Sequence, residues 1–405
     1  MSKEVIRKSI EANALSLIEK YNNIVLEYAT GVGKSKIAID MLDRLVKNIN
    51  SLRPFLIVVA ETAHKDNWYK EFVKWGKLEL WNKCDIVTYN SLHKISIPYY
   101  CIIFDEAHHL CTDLRIDVLM DRISSTYNIF LSATLGKDKL NILREIYPDI
   151  YVSRLTLRKS IDLGVLPDPK VYAIPLELDN TERNEIFIFR FGKGKNKRIV
   201  ECSYPERFKY SKEDVIVHAK CTQYEKYLEI SRLIDFWRKR FMLTKQPFMK
   251  TKWMAAATER KRFLGEIKTE KVLPFLLSHI KDRWICFCNS KQQQNDISYC
   301  TKDSYSVINS DIKDVKTIIA RYNMETYRHL YCVGMLQEGQ NLVNTPMGII
   351  IQLDNESRRF IQKVGRILRA DNPEIYVFYF KNTRDEEYLD KIKEMLPDKV
   401  KQFNI

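Results

Sequence analysis

Glycine and proline are scarce in this chain, with twelve of each among 405 residues. So few breakers leave no long flexible linker and no low-complexity tract, and no segment recurs at a fixed period. Long apolar runs are also missing. No stretch approaches the ~18 uncharged apolar residues of a membrane helix, and Met1-Ser2-Lys3-Glu4 has no apolar signal core. A protein without signal peptide or membrane span is therefore expected, placed in the cytoplasm. The nine cysteines include no CxxC pair and are odd in number, which argues for reduced thiols. Cys286 and Cys288 alternate in an expected strand without making a zinc site, and the seven histidines form no ligand cluster.

Acidic residues are in deficit. The net charge is +14, and residues 191–262 hold nineteen Lys and Arg against eight Asp and Glu, an excess of eleven. Such a local excess fits a polyanion partner, or else a solvated helical surface. Hydrophobic content of 45% and charged content of 29% are those of a globular protein, with length for two or three cores.

The chain is organised around Ala29-Thr30-Gly31-Val32-Gly33-Lys34-Ser35. An apolar run, Ile24-Val25-Leu26, precedes it, and an amphipathic stretch with Ile37, Ile39, Met41, Leu42 and Leu45 follows. Strand, glycine turn and helix make a phosphate cradle: backbone N–H groups face the anion, and the helix N-terminus adds partial positive charge. In this reading Thr30, Gly31 and Gly33 line the phosphates, Lys34 reaches the β- and γ-phosphates, and Ser35 holds Mg²⁺.

Further apolar runs at 55–60, 85–89, 101–104 and 129–131 alternate with helical segments and predict a doubly wound parallel sheet. Asp105-Glu106 stands at the end of one such run, about 70 residues after the glycine turn. A carboxylate there can bind Mg²⁺, and its neighbour can orient or deprotonate a water. The alternation lapses near 149–170. Residues 186–203 read as a hairpin turning at 192–197, and Cys221 to about Ile280 as long helices carrying Phe236-Trp237-Arg238-Lys239-Arg240-Phe241. Alternation resumes from Trp284, giving a second α/β unit with a basic, mainly helical insertion at its front. Arg366 and Arg369, three apart on an expected helix, suit charge developing on a γ-phosphate or a solvated face.

With these segments in this order, the chain resembles superfamily 2 helicases and translocases along nearly its whole length. Thr30 to Ser35 matches motif I, Asp105-Glu106-Ala107-His108 the DEAH form of motif II, and Ser132-Ala133-Thr134 motif III. Phe287-Cys288-Asn289-Ser290 is similar to motif IV, Glu338-Gly339-Gln340-Asn341-Leu342 to motif V, and Gln362 to Arg369 fits QxxGRxxR, motif VI. Thr88-Tyr89-Asn90-Ser91-Leu92 is similar to a nucleic-acid-contacting segment. Tyr28 stands where the longer phosphate-loop pattern has glycine, Ala60 where motif Ia has proline, and no adenine-reading glutamine precedes Gln223.

The resemblance implies two RecA-like lobes, set here at 1–165 and 166–405 with the insertion at about 185–280, and ATP with Mg²⁺ between them. It gives Lys34, Asp105, Glu106, Gln362, Arg366 and Arg369 catalytic roles, Ser35 and Asp105 the metal, and Gly339 and Asn341 nucleotide sensing. His108, Ser132 and Thr134 would couple hydrolysis to nucleic acid, gripped at Thr88, Tyr89, Arg238, Lys239 and Arg240. The implied activity is an ATP-dependent helicase, with a duplex translocase or an ATP-gated binding switch as alternatives. DNA, single-stranded or branched, is the favoured partner and the state a monomer. The compact build and Phe360-Ile361-Gln362-Lys363-Val364-Gly365-Arg366 resemble small phage-encoded helicases and restriction-enzyme motors, hence a bacterial or phage-infected cell.

Overall fold

Apolar runs with helices between them close here into two parallel sheets, as the alternation predicts. The computed structural model describes residues 2–48, 54–194, 197–334, 342–354 and 357–403. The first sheet holds β1 (Asn23–Tyr28), β2 (Phe55–Val59), β3 (Cys84–Thr88), β4 (Tyr99–Phe104), β5 (Ser125–Ser132) and β6 (Tyr151–Leu155). Their order is β3-β2-β4-β5-β1-β6, every pair parallel. Side chains alternate between two cores: Ile57 and Val59 enter one face, Leu56 and Val58 the other. A strand buried on both faces must be apolar throughout, which explains the unbroken run at β2.

The second sheet begins with β7 (Lys170–Leu176). Before it continues, the chain makes a small sheet of β8 (Glu185–Phe191), β9 (Arg198–Ser203) and β10 (Val215–Cys221), then two long helices, Gln223–Thr244 and Pro247–Ser278. It resumes with β11 (Trp284–Cys288), β12 (Val307–Ile308), β13 (His329–Val333), β14 (Met347–Ile350), β15 (Glu374–Phe380) and β16 (Val400–Gln402). These lie in the order β12-β13-β11-β14-β15-β7-β16, again all parallel. The fold is two RecA-like α/β lobes with a basic insertion in the second.

The expected hairpin at 186–203 is not formed. β10 lies between β8 and β9, antiparallel to the first and parallel to the second. Asp214, at the entry to β10, accepts the Gly194 N–H at 2.7 Å, and a Cβ on Gly192 or Gly194 would collide with it. The glycine turn thus wraps around the start of β10 and leaves a strand's width between its arms.

A reciprocal cap starts the first long helix: Thr222 accepts from the Glu225 N–H, and Glu225 accepts from the Thr222 N–H. Lys245, at φ 56°, ends it, and Pro247 opens the second. The two helices pack side by side, with Phe241 stacked on Trp253 at 6.1 Å and Trp237 edge-on to Phe248 at 6.3 Å. All nine cysteines are free thiols. Among the described residues no helix is long and apolar enough to cross a membrane.

Candidate active site

Each polar motif of the first lobe sits at the carboxyl end of a parallel strand, where helix N-termini converge. β1 ends in the phosphate loop. Gly31 and Gly33 have φ of 93° and 107°, so the turn needs residues without a Cβ, and Gly33 caps the helix Lys34–Leu45. The Lys34 ammonium donates to the Tyr28 carbonyl at 2.9 Å, which folds it over the loop. Tyr28 thus supplies a backbone acceptor to the cradle.

β4 ends in Asp105-Glu106. Trp68 Nε1 donates to Asp105 Oδ2 at 2.9 Å, and the Glu106 N–H donates to Oδ1 at 3.0 Å. Burial and the Glu106 carboxylate nonetheless push the Asp105 carboxyl up to about 6. Glu106 itself has φ 48° and ψ 54°, a left-handed conformation that costs a residue with a Cβ about 1–3 kcal/mol. That turn directs its carboxylate toward His108, with Oε2 3.3 Å from Nδ1. His108 is buried, and its carbonyl accepts from Lys139 at 2.6 Å. After β5, the buried Ser132 hydroxyl accepts the Thr134 N–H at 3.2 Å, while Thr134 Oγ1 is buried without a hydrogen-bond partner among the described residues.

The second lobe meets this cradle through the helix Ser357–Ile367, hereafter the finger helix. A Cβ on Gly365 would stand 2.6 Å from the Thr30 Cβ, so only glycine lets the helix lie on the phosphate loop. Gln362 and Arg366 are buried on the same helix. Arg369 lies two residues past the helix end, in the closing turn rather than on the expected continuous face. Desolvation and the neighbouring Arg366 lower its pKa to about 10, while Glu71 of the first lobe pulls the other way. The two arginines therefore stand close enough to repel. A further bond between the lobes joins Lys316 to Asp66 at 2.7 Å.

One expected contact residue is displaced. Tyr89 is buried: its hydroxyl donates to the Asp105 carbonyl at 2.9 Å, and the Arg115 guanidinium lies 5.5 Å over its ring. It braces the carboxylate loop and offers no surface to a nucleic acid. Thr88 is half-buried, its hydroxyl 3.2 Å from that of Ser91. Gly339 and Asn341 lie outside the described residues. Arg238, Lys239 and Arg240 are exposed on the first insertion helix, with Arg240 4.6 Å over the Phe236 ring. Between Asp235 and Glu259 there is no acidic residue. Trp68, His64 and Glu71, to which the sequence gives no catalytic or binding role, reach the site from the helix Thr62–Lys74.

Known proteins resemble this chain in sequence and in fold. Residues 1–94 match the family model described as type III restriction enzyme, res subunit, and residues 267–371 match the helicase conserved C-terminal domain. The chain is 22% identical over 375 residues to the DNA 3'-5' translocase XPB2 of Sulfurisphaera tokodaii, covering 90% of this chain and 78% of that protein. Among solved structures, S. cerevisiae Dbp5 bound to RNA and ADP BeF3 is similar, with TM-score 0.56 and 12% identity. That match covers 98% of this chain and 89% of the other. A variant of the same protein in the same complex gives TM-score 0.58.

Proposed function

We propose that this chain, an ATP-hydrolysing helicase or translocase of superfamily 2, acts on DNA and moves along it by closing and opening its two lobes on ATP. The packing of Gly365 on Thr30 carries this reading, because it sets the arginine-bearing helix of one lobe over the phosphate loop of the other. Thr30, Gly31, Gly33, Lys34 and Ser35 hold the phosphates, with Gly339 and Asn341 sensing them from the second lobe. Glu106 orients and deprotonates the attacking water, and His108, Ser132 and Thr134 link it to the bound strand, the roles expected of a DEAH form. Arg366, with Arg369 and Gln362, meets the charge that develops on the γ-phosphate. The lobes divide at about residue 165, and 185–280 form the insertion.

The carboxylate pair suits Mg²⁺. Burial and the Glu106 carboxylate raise the cost of ionising Asp105, and Ser35 lies in the first turn of the adjoining helix. No three His, Cys, Asp or Glu side chains cluster among the described residues; Mg²⁺ is generally held by one or two carboxylates together with substrate phosphates. When bound, the ion neutralises phosphate charge; the chain's own part is to hold Ser35 and Asp105 in place.

The exposed cations Arg238, Lys239 and Arg240, which have no ion-pair partner among the described residues, grip the DNA backbone from the insertion. The enzyme works as a monomer in the cytoplasm and is of the small phage or restriction-motor type. ATPase rates with single-stranded, duplex, forked and four-way DNA, and with RNA, test the substrate. Stimulation by single-stranded or branched DNA is expected, and equal or greater stimulation by RNA would contradict it. A second reading, translocation along duplex without strand separation, is favoured by the similarity to a DNA translocase. Triplex displacement without unwinding would establish it.

A further inference from the structure

Asp354 follows β14 in the segment before the finger helix, and its side chain is only 12% exposed. Three cations converge on its carboxylate from two different elements. Lys261 comes from the long insertion helix Pro247–Ser278. From the finger helix, Arg359 Nη1 lies at 3.2 Å and Lys363 Nζ at 3.5 Å. Burial alone would raise the Asp354 carboxyl, yet Lys363, Lys261 and Arg359 together hold it below the usual carboxylate range.

Seven residues further along the same insertion helix, Lys268 is fully buried. It pairs with Asp385 at 2.6 Å and donates to the Ile351 carbonyl, Gln352 Oε1 and the Phe378 carbonyl at 2.9–3.0 Å. Lys261 and Lys268 thus share a helix face and seize the two ends of one short loop, 351–354. Gly265, between them, has no room for a Cβ against Asn289, so the helix also lies tight on the loop after β11. The two lysines tie the insertion helix to this loop at both ends. From the loop to the finger helix, the Asp354 carboxylate takes Arg359 and Lys363, the Gln352 carbonyl also accepts from Lys363 at 3.5 Å, and Ile367 packs where a Cβ on Gly348 of β14 would stand. Lys363 stands one turn from Arg366 and next but one to Gly365, which rests on Thr30.

We propose that Asp354 is the positioning residue through which the basic insertion sets the arginine finger: nucleic acid drawn to the insertion shifts Lys261, and Asp354 passes the shift to Lys363 and Arg359. The proposal rests on the reading of the insertion as the nucleic-acid grip. It assigns Asp354 no contact with ATP. Without its charge, three cations from two helices lose the carboxylate they share, and the finger helix loses its ionic tie to the insertion while the phosphate loop stays intact.

The test compares wild type, Asp354→Asn, Lys261→Met and the double variant. ATP turnover is measured with and without a saturating forked DNA oligonucleotide, and DNA affinity by anisotropy. Each single variant should lower the ratio of stimulated to unstimulated turnover by roughly tenfold, the double variant no further, because both cut one link. DNA affinity of Asp354→Asn should stay within about threefold of wild type. An undiminished ratio in both single variants, or losses that multiply in the double, would overturn the proposal. Should Asp354→Asn not fold, Lys261→Met alone decides it by the same ratio. Wild-type turnover indifferent to every nucleic acid would instead overturn the proposed function, and the relay with it.

Discussion

Gly365 of the second lobe and Thr30 of the first are in van der Waals contact across the cleft, and the space for a Cβ between them is already filled. Gly365→Ala therefore tests the closed arrangement by a single methyl. Within a helix, alanine is favoured over glycine by about 1 kcal/mol, so the second lobe should not lose stability. The methyl should lift the finger helix from the loop and lower stimulated ATP turnover by about tenfold or more, since small misplacements of catalytic groups are expensive. Wild-type turnover in Gly365→Ala would show that the lobes do not close this way.

Lys34→Ala and Glu106→Gln should each abolish nucleic-acid-stimulated ATPase while leaving the melting temperature near wild type. In the proposed mechanism both side chains act on phosphate or water, and losing such charge stabilisation costs several powers of ten. Turnover within about tenfold of wild type in either variant would refute the assignment.

Asp105 makes a pH-dependent prediction. Its folded pKa, about 6, lies above the ordinary aspartate value. The folded state therefore binds more protons than the unfolded chain between about pH 4 and 6, and stability from this group falls as pH rises through that window. Thermal melts at pH 5 and 7 should show wild type gaining on Asp105→Asn upon acidification, by on the order of 1 kcal/mol. A pH-independent difference between the two would place Asp105 in a more solvated setting than the geometry gives.

Changing Arg238, Lys239 and Arg240 together to Gln should weaken DNA binding for all sequences alike. The slope of log affinity against log salt should become shallower by up to about 2–3 units if all three touch phosphates. Unaltered affinity and slope would mark these residues as a solvated surface.

The buried pair Lys268–Asp385 predicts a stability effect away from the chemistry. Lys268→Met removes the cation paired with the fully buried Asp385, and breaking a buried pair costs about 3–5 kcal/mol. Chemical denaturation should show it. A loss under about 1 kcal/mol would mean that the site admits water.

Much of this could be read from residues alone, because the phosphate loop, the carboxylate pair and the finger arginines are local patterns tied to strand ends. The buried runs at β2, β4 and β5 announced themselves by being apolar on both faces. What escaped was non-local. Nothing in Gly192 to Lys197 says that a strand 20 residues later will lie between its arms. Tyr89 sits in a segment whose family role suggests contact with nucleic acid, yet its burial depends on Asp105 and Arg115, which approach from other elements. Trp68 reaches Asp105 across 37 positions of sequence and has no spacing rule to reveal it. The Asp354 junction is of the same kind: three cations on two helices, meaningful only once packed.

The central claim is that ATP is hydrolysed between the lobes with Arg366 supplied across the cleft. Its most direct test is turnover and nucleotide affinity of Arg366→Ala, both measured with saturating DNA. A finger acts on transition-state charge, so turnover should fall by about 10³ or more while ATP affinity changes only a few-fold. Equal losses in both, or turnover within about tenfold of wild type, would contradict it.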